Sequence, residues 1–306
     1  MGDILAIRGG AIGDFILTLP ALQLLKRGLD AEKIEVLGYP SIAQISVDFG
    51  FADAVRSIEY GALAGFFNPK ANLDEELCAY FSKFSVIVSY LYDPDGFFHS
   101  NLERAGAKTV IRASHRVDES VDKPAAAQLA EPLESLALFL EEPYVSLGIE
   151  RRPTRRIAIH PGSGSPLKNW GFENWAETTK RIHEQLPDYE FLVVSGEAES
   201  ETIDEFLQLL EVPQQSLASA PLADVARELS DCALFLGHDS GVSHLAGAAD
   251  VPSILVFGPT DPAIWAPRNP EVKTMRAPNH QLASVQVSTM VEKSIQQLVS
   301  SSKRKT

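Results

Sequence analysis

The stretch GHDSGVSHLAGAADVPSILVFGPTDP, residues 237–262, predicts a strand end, a polar turn, a short helix, a second strand and a second polar turn. This order is typical of a parallel sheet whose strands alternate with helices. The predicted helix, residues 242–249, begins after Ser240 and Gly241, so free backbone N–H groups lie at the carboxyl end of a strand. Two interpretations remain open for this segment alone: a phosphate-binding turn, or an ordinary capped helix start.

Asp239 and Gly241 make the same turn a candidate ligand site. Gly241 allows a ligand to approach the backbone closely, because it has no side chain. Asp239 is placed either to cap the helix or to accept a hydrogen bond from a sugar hydroxyl.

Length and composition indicate a globular protein of two domains. The chain has 306 residues, more than one hydrophobic core usually holds. It contains 45% apolar and 22% charged residues, no apolar segment long enough to span a bilayer, and no signal peptide at its first residues. We therefore predict a cytoplasmic protein. The two cysteines show neither a disulfide framework nor the spacing of a zinc site.

The charge distribution argues against nucleic acid as a partner and leaves an anionic ligand or a membrane surface open. A net charge of −14 argues against general affinity for nucleic acid, which depends on clustered cations. Arginines nevertheless cluster within residues 151–156, and residues 303–305 form a basic tail. A local basic surface suits a specific anionic ligand or the face of a membrane. Solvated charges of a linker and a tail are the alternative.

Apolar runs alternate with helical segments along the whole chain, which predicts an α/β protein with two doubly wound parallel sheets. The predicted strands are residues 4–7, 34–37, 55–58, 86–89 and 109–111, then 156–160, 191–194, 233–236 and 253–257. A segment with two prolines and clustered arginines separates the two sets. We place the domains at residues 1–148 and 149–306. A helix predicted near residues 285–300 either closes the second domain or packs back onto the first.

The turn after the first predicted strand, RGGAIGD at residues 8–14, carries a candidate catalytic carboxylate. Its glycine spacing differs from G-x-G-x-x-G, and Asp14 would repel a pyrophosphate at the helix start. A nicotinamide or flavin cofactor is therefore disfavoured. Asp14 itself suits either a general base or the N-cap of the following helix.

The second half begins with a strand that ends in a loop of glycine and serine, HPGSGSPLKNW at residues 160–170. Backbone N–H groups, the hydroxyls of Ser163 and Ser165 and the ammonium of Lys168 suit a phosphate, while a surface lysine is the alternative. The spacing does not match a Walker P-loop, so ATP hydrolysis is not indicated.

Two later segments suit the rest of a nucleotide. An acid just past a strand end, either Glu197 or Glu199, is placed to bind ribose hydroxyls. Residues 217–222, LASAPL, precede a helix and form a candidate apolar slot for a base.

Three blocks of sequence together resemble glycosyltransferase family 9, the ADP-heptose:lipopolysaccharide heptosyltransferases. They are GDFILTLPAL at residues 13–22, HPGSGSPLKNW at 160–170 and DSGVSHLAGAADVPSILVFGPTDP at 239–262. The resemblance implies a GT-B fold, with two Rossmann-like domains whose parallel sheets face a central cleft. It also implies an inverting sugar transfer that uses neither a metal nor another cofactor.

The resemblance implies the partners as well. The second domain would bind the donor, an ADP-sugar, and the first a glycolipid or oligosaccharide acceptor of the lipopolysaccharide core or a related surface glycan. The protein would then be cytoplasmic, with peripheral contact with the inner membrane as an open possibility.

Site residues follow from the matching positions. Asp14 is implied as the general base, with Arg8, Gly10 and Gly13 on the acceptor side. The implied donor-binding residues are Ser163, Gly164, Lys168, Glu197, Ala220, Pro221, Leu222, Asp239, Ser240, Gly241, His244 and Thr260. The sequence Asp93-Pro94-Asp95 is similar to the metal-binding D-x-D of other glycosyltransferases, but we interpret it as a turn because it falls in the presumed acceptor domain.

Two alternatives stay open beside the transferase. One is an epimerase-like GT-B enzyme acting on a nucleotide sugar, which needs additional acid/base residues and no acceptor. The other is a sugar-nucleotide-binding protein without turnover. Asp14 distinguishes them, because only the transferase requires it for sugar transfer.

Overall fold

The structure is a computed structural model that describes residues 2–303, with side chains described to residue 300. The chain divides into two compact units, Met1–Pro143 and Tyr144–Thr306, a few residues before the predicted boundary. In the described range, no helix is both long and apolar enough to cross a membrane. The basic tail predicted at residues 303–305 lies outside the described side chains.

The first unit contains a five-stranded parallel sheet in the order β3-β2-β1-β4-β5. Its strands are β1 (Ile4–Arg8), β2 (Ile34–Gly38), β3 (Ala54–Ser57), β4 (Val86–Ser89) and β5 (Val110–Arg112). Its α-helices are α1 (Ile12–Ile16), α2 (Leu19–Gly28), α3 (Pro40–Asp48), α4 (Glu75–Phe81), α5 (Phe97–Arg104) and α6 (Ala125–Ala130). The strand order reverses between β1 and β4, where doubly wound sheets bind ligands.

The second unit contains a six-stranded parallel sheet in the order β11-β10-β9-β6-β7-β8. Its strands are β6 (Arg156–Ile159), β7 (Glu190–Ser195), β8 (Gln214–Ala218), β9 (Leu234–His238), β10 (Ser253–Phe257) and β11 (Val272–Arg276). Its α-helices are α7 (Phe172–Gln185), α8 (Ile203–Leu209), α9 (Leu222–Ser230), α10 (Gly241–Ala248), α11 (Pro262–Trp265) and α12 (Val287–Lys303). Here the order reverses between β6 and β9, as in the Rossmann arrangement.

Every predicted strand is present, but two strands escaped the sequence analysis. Both missed strands, β8 (QQSLA) and β11 (VKTMR), lie at the edges of the second sheet and have no fully buried residue. An edge strand need not bury both faces, so its sequence lacks the continuous apolar run that marks a central parallel strand.

The last helix packs in the second unit. Met290, Val291 and Leu298 of α12 are buried in the same cluster as Ile182 of α7. Just before α12, the Val285 carbonyl accepts a hydrogen bond of 3.2 Å from Trp170 Nε1. Of the two positions that the sequence left open, α12 takes the one that closes the second unit.

Candidate active site

In the second unit, a lysine, an aspartate and a threonine from three different loops meet at the switch point. Lys168 Nζ lies 2.6 Å from Asp239 Oδ2, and Thr260 Oγ1 donates to the same oxygen at 2.8 Å. Asp239 is 7% exposed, whereas the Lys168 side chain is 31% exposed. The buried carboxylate therefore fixes the ammonium group while leaving it accessible to a ligand.

The start of α10 has its own cap. Ser240 Oγ accepts a hydrogen bond of 3.3 Å from the backbone N–H of Ser243, so Ser240 and not Asp239 is the N-cap. Because the first N–H groups of a helix have no partner within the helix, the turn at Gly241 retains donors for an anion. His244 is 5% exposed within α10, and its predicted contact with the donor stays a prediction.

The loop after β6 is shaped by its own side chains. Ser163 Oγ donates to Asn169 Oδ1 at 2.7 Å, and Ser163 is only 8% exposed, so this hydroxyl holds the loop closed on itself. Gly164 is exposed, and no atom lies within 4 Å of where its Cβ would stand. The backbone at Gly164 and the side chains of Ser165 and Lys168 are therefore accessible polar groups of this loop, whereas the hydroxyl of Ser163 is not.

The sequence analysis missed a buried histidine, His238, which links the end of β9 to the loop after β6 by hydrogen bonds. His238 Nε2 accepts from the Trp170 backbone N–H at 2.8 Å and from Trp175 Nε1 at 3.1 Å. Burial lowers the pKa of His238 to about 3, so the imidazole is neutral at physiological pH. Its only sequence signal is a polar residue at the end of the buried strand β9, directly before Asp239.

A buried pair, His160 and Glu199, lies under the loop after β6. His160 Nε2 is 3.9 Å from Glu199 Oε1, and both side chains are about 5% exposed or less. Burial lowers the pKa of His160, while the Glu199 carboxylate opposes that shift. A Cβ at Gly162 would stand 2.3 Å from Glu199 Cγ, so this loop rests directly on Glu199.

Glu197 and Glu199, the two candidates for binding the ribose hydroxyls, differ in their exposure to solvent. Glu199 accepts a hydrogen bond of 2.9 Å from the Gly196 backbone N–H and is buried, whereas Glu197 is exposed. Glu197 is therefore the accessible carboxylate. The predicted base slot follows β8, where Pro221 is the N-cap of α9 and Ala220 and Leu222 are half-buried.

In the first unit, Asp14 lies in the first turn of α1. Ala11 is the N-cap, and Asp14 Oδ2 accepts a hydrogen bond of 3.2 Å from the Ala11 backbone N–H. The carboxylate is 39% exposed. Gly10 has a φ of +107°, and a Cβ there would lie 3.1 Å from Asp14 Oδ2. Glycine at position 10 therefore suits both the positive φ and the close approach to Asp14.

Arg8 anchors this carboxylate from inside the unit. Its Nη2 lies 3.5 Å from Asp14 Oδ1 and donates to the Asp14 carbonyl at 3.4 Å. Burial lowers the pKa of the Arg8 guanidinium, and the Asp14 charge offsets part of that shift. Arg8 is 4% exposed, so it positions Asp14 and does not contact solvent.

Asp93 has a structural role in the turn that it begins. Its two carboxylate oxygens accept from the backbone N–H groups of Phe98 and His99 at 3.1 and 3.0 Å, at the start of α5. The interpretation of Asp93-Pro94-Asp95 as a turn is confirmed. Among the side chains that the structure describes, up to residue 300, no group of three or more His, Cys, Asp or Glu is placed to hold a metal ion.

Comparison with known proteins identifies the family to which the chain is similar. The model of glycosyltransferase family 9 (heptosyltransferase) matches residues 115–295. Lipopolysaccharide heptosyltransferase 3 of Escherichia coli is 23% identical over 292 residues, which cover 83% of each chain.

Solved structures are similar over nearly the whole chain. A family 9 glycosyltransferase from Veillonella parvula DSM 2008 has a TM-score of 0.77 at 16% identity, covering 98% of this chain and 97% of that one. The E. coli heptosyltransferase WaaC with ADP has a TM-score of 0.72 at 16% identity, covering 96% and 99%. At these identities the likeness shows the fold, and it confirms the predicted GT-B class.

Proposed function

The chain belongs to glycosyltransferase family 9, the heptosyltransferases, and we propose that it transfers heptose from ADP-heptose to the lipopolysaccharide core or a related surface glycan. Membership makes it a glycosyltransferase. The ADP in the WaaC structure and the name of the lipopolysaccharide heptosyltransferase relative support the donor and the acceptor class. An acceptor anchored in the inner membrane would bring the protein to the cytoplasmic face of that membrane.

The cluster of Lys168, Asp239 and Thr260 is the observation that carries this proposal. A nucleoside diphosphate gains negative charge as it leaves the sugar, so it needs fixed cations and N–H donors. Lys168 supplies the cation, and the start of α10 supplies backbone donors. Because Asp239 already orients Lys168, the charge is stabilised without reorganisation, and the proposal requires no metal.

Asp14 is the proposed general base. Its accessible carboxylate removes the proton of the acceptor hydroxyl as that oxygen bonds to the anomeric carbon. The bond from this carbon to the diphosphate breaks, and its electron pair leaves with ADP. A single displacement of this kind inverts the configuration of the sugar.

Asp14→Asn tests the base. We expect nearly unchanged ADP affinity by isothermal titration calorimetry, and a loss of transfer to heptose-deficient lipopolysaccharide of about 10²- to 10⁴-fold. Asp48→Asn, at the exposed end of α3, is the matched control and should transfer at the wild-type rate. Wild-type transfer by Asp14→Asn would contradict the assignment.

Lys168→Met tests the donor site. Removing a charge-assisted contact should weaken ADP binding about tenfold or more. The control is Lys180→Met on the exposed face of α7, where the lysine pairs with Glu211. Equal ADP affinities for Lys168→Met and wild type would contradict the donor site, and a preference for UDP or GDP would contradict ADP-heptose. ADP binding without transfer to any acceptor would favour the non-catalytic alternative.

A further inference from the structure

In the second unit, an arginine and an aspartate form a pair beside the proposed donor site, and the proposed reaction does not use them. Arg276 ends β11, and its Nη1 lies 3.0 Å from Oδ2 of Asp261. Asp261 directly follows Thr260, whose hydroxyl donates to the carboxylate that holds Lys168. The pair is therefore joined to the cluster proposed to bind the diphosphate through one peptide bond.

The register of the sheet gives the distance between this pair and the cluster. His238 of β9 lies beside Val256 of β10, and Val256 lies beside Met275 of β11. Asp239 and Arg276 are each the next residue after this row. Neighbouring strands are about 4.8 Å apart, so two intervals separate the two backbones by about 10 Å. Arg276 therefore lies at the same end of the sheet as Asp239, two strands farther out.

The strand order gives the direction in which a donor would extend. The candidates for binding the ribose and the base, Glu197 and residues 220–222, follow β7 and β8 on one side of the cluster. The strands β10 and β11 lie on the other side. A diphosphate between them carries its nucleoside towards β8 and its sugar towards β11. A pyranose ring spans about one interval between strands, so the exocyclic carbons of the sugar reach the second interval, where Arg276 lies.

The chemistry of the pair suits hydroxyl groups and not a further phosphate. Its two charges cancel, and the side chains of Arg276 and Asp261 are 44% and 36% exposed. Asp261 Oδ1 accepts from the backbone N–H of Ala263 at 2.8 Å, so Oδ2 is the oxygen that faces Arg276. A guanidinium offers several N–H donors and a carboxylate several lone pairs, so the pair presents donors and acceptors side by side. Neighbouring hydroxyls of a sugar, which both donate and accept, match this arrangement.

The turn after β11 holds Arg276 in place. His280 Nδ1 lies 3.4 Å from Arg276 Nη2, and because a guanidinium only donates, Nδ1 accepts and Nε2 carries the proton. Asn279 and His280 both have a positive φ, +52° and +60°, a strained conformation that clusters at ligand-binding sites. The Ala277 N–H donates to the Phe257 carbonyl at 2.7 Å, which ties this turn to β10. The turn thus supplies a further N–H donor beside Arg276.

We propose that Arg276, with Asp261 and His280, binds the exocyclic hydroxyls of the donor sugar and selects a heptose over a hexose. A heptose carries hydroxyls on two adjacent exocyclic carbons, whereas a hexose carries only one. Arg276 donates to the hydroxyl that the hexose lacks, and Asp261 accepts from its neighbour. The identity of the sugar rests on the proposed function.

Isothermal titration calorimetry of the full-length protein with three ligands tests this contact. The ligands are ADP, ADP-heptose and the ADP-hexose that lacks only the seventh carbon and its hydroxyl. We expect the wild type to bind ADP-heptose about tenfold more tightly than the ADP-hexose, since it gains a charge-assisted contact. Arg276→Gln should bring the two ADP-sugars to about equal affinity and leave the ADP affinity unchanged. Equal affinities of the wild type for both sugars would overturn the proposal.

Arg155→Gln is the matched control, because Arg155 also forms an exposed pair with an aspartate, Asp188, at the amino ends of β6 and β7. It should keep the wild-type preference. A second variant, Asp261→Asn, still accepts from the Ala263 N–H but loses the charge that faces Arg276, so its preference for ADP-heptose should fall.

Two results for Arg276→Gln would contradict the contact. One is the wild-type preference for ADP-heptose. The other is a loss of affinity by the same factor for all three ligands, because Arg276 would then only support the turn that carries Thr260.

Lys168→Met keeps this proposal separate from the proposed function. It should weaken ADP and both ADP-sugars by about the same factor and keep the ratio between the two sugars, whereas Arg276→Gln should change only that ratio. A wild-type protein that binds ADP but shows no preference between the sugars contradicts the proposal and leaves the ADP donor intact. A preference for UDP would contradict the ADP donor, and the same two sugars on UDP would then test Arg276.

Discussion

At the scale of single residues, the candidate site depends on polar side chains that buried partners hold in place. Asp239 fixes Lys168, Arg8 fixes Asp14, and His238 connects the turn after β9 to the loop after β6. A paired carboxylate already has a defined orientation, so it loses less conformational entropy in reaching the transition state than a mobile carboxylate does.

His238 predicts a pH dependence of stability. The unfolded imidazole binds a proton below about pH 6.5, but the native one does so only below about pH 3. The unfolded state therefore binds more protons between these values, and the free energy of unfolding falls as the pH drops through this window. The fall is up to about 1.4 kcal/mol per pH unit.

Urea unfolding of His238→Gln at pH 7 and pH 5 measures this contribution. The Gln amide oxygen can still accept from the Trp170 backbone N–H and from Trp175 Nε1, but the amide does not titrate. We therefore expect a smaller loss of stability at pH 5 than in the wild type. His183→Gln, on a half-buried position of α7, should keep the wild-type dependence. An unchanged pH dependence in His238→Gln would exclude His238 as its source.

Gly10 predicts a separable effect on catalysis. Gly10→Ala carries the cost of a positive φ, about 1 to 2 kcal/mol, and also crowds Asp14 Oδ2. Gly50→Ala carries a similar backbone cost at a φ of +74°, with no atom within 4 Å of its Cβ. We expect both variants to lose comparable stability, but only Gly10→Ala to lower kcat. Equal kcat values would argue against Asp14 as the base.

At the scale of elements, the decisive helix is α10. All of its residues from Val242 onward are buried, and Gly247 packs so closely that a Cβ there would stand 2.8 Å from Pro267 Cβ. Small side chains let this helix lie close to its neighbours, which brings its N-terminus to the carboxyl end of β9. The small residues of α10 therefore have a packing role.

Gly247→Ala tests this packing. Alanine favours a helix by about 1 kcal/mol over glycine, but overpacking costs about 1 to 3 kcal/mol, so we expect a net loss of stability and weaker ADP binding. Gly61→Ala, in the 3-10 helix Gly61–Phe67 with open space around it, should show neither loss. Both variants are compared by thermal unfolding and ADP titration. A stabilised Gly247→Ala protein would show that the neighbours of α10 can move.

At the scale of the whole molecule, each unit has its own sheet and its own core. Ile182 lies in the cluster of the second unit, and Leu102 in that of the first. A substitution in one core should therefore destabilise mainly the strands that it supports.

Ile182→Ala and Leu102→Ala serve as controls for each other. Each removes a fully buried side chain, at a cost of about 2 to 5 kcal/mol. Hydrogen–deuterium exchange measures this difference. Ile182→Ala should speed up amide exchange in β6, β7 and β9, and Leu102→Ala should speed it up in β1 and β4. Equal acceleration of both sheets by either variant would show that the cores unfold together.

The sequence by itself determined the alternation of strands and helices, the doubly wound class and the family, because apolar periodicity and short motifs are local properties of the chain. Only the tertiary structure decided which side chains meet. The contact between Lys168 and Asp239 joins residues 71 positions apart. Glu197 and Glu199 are only two positions apart, yet the first is exposed and the second is buried. Such contacts depend on how distant segments pack, and local spacing carries no record of that packing.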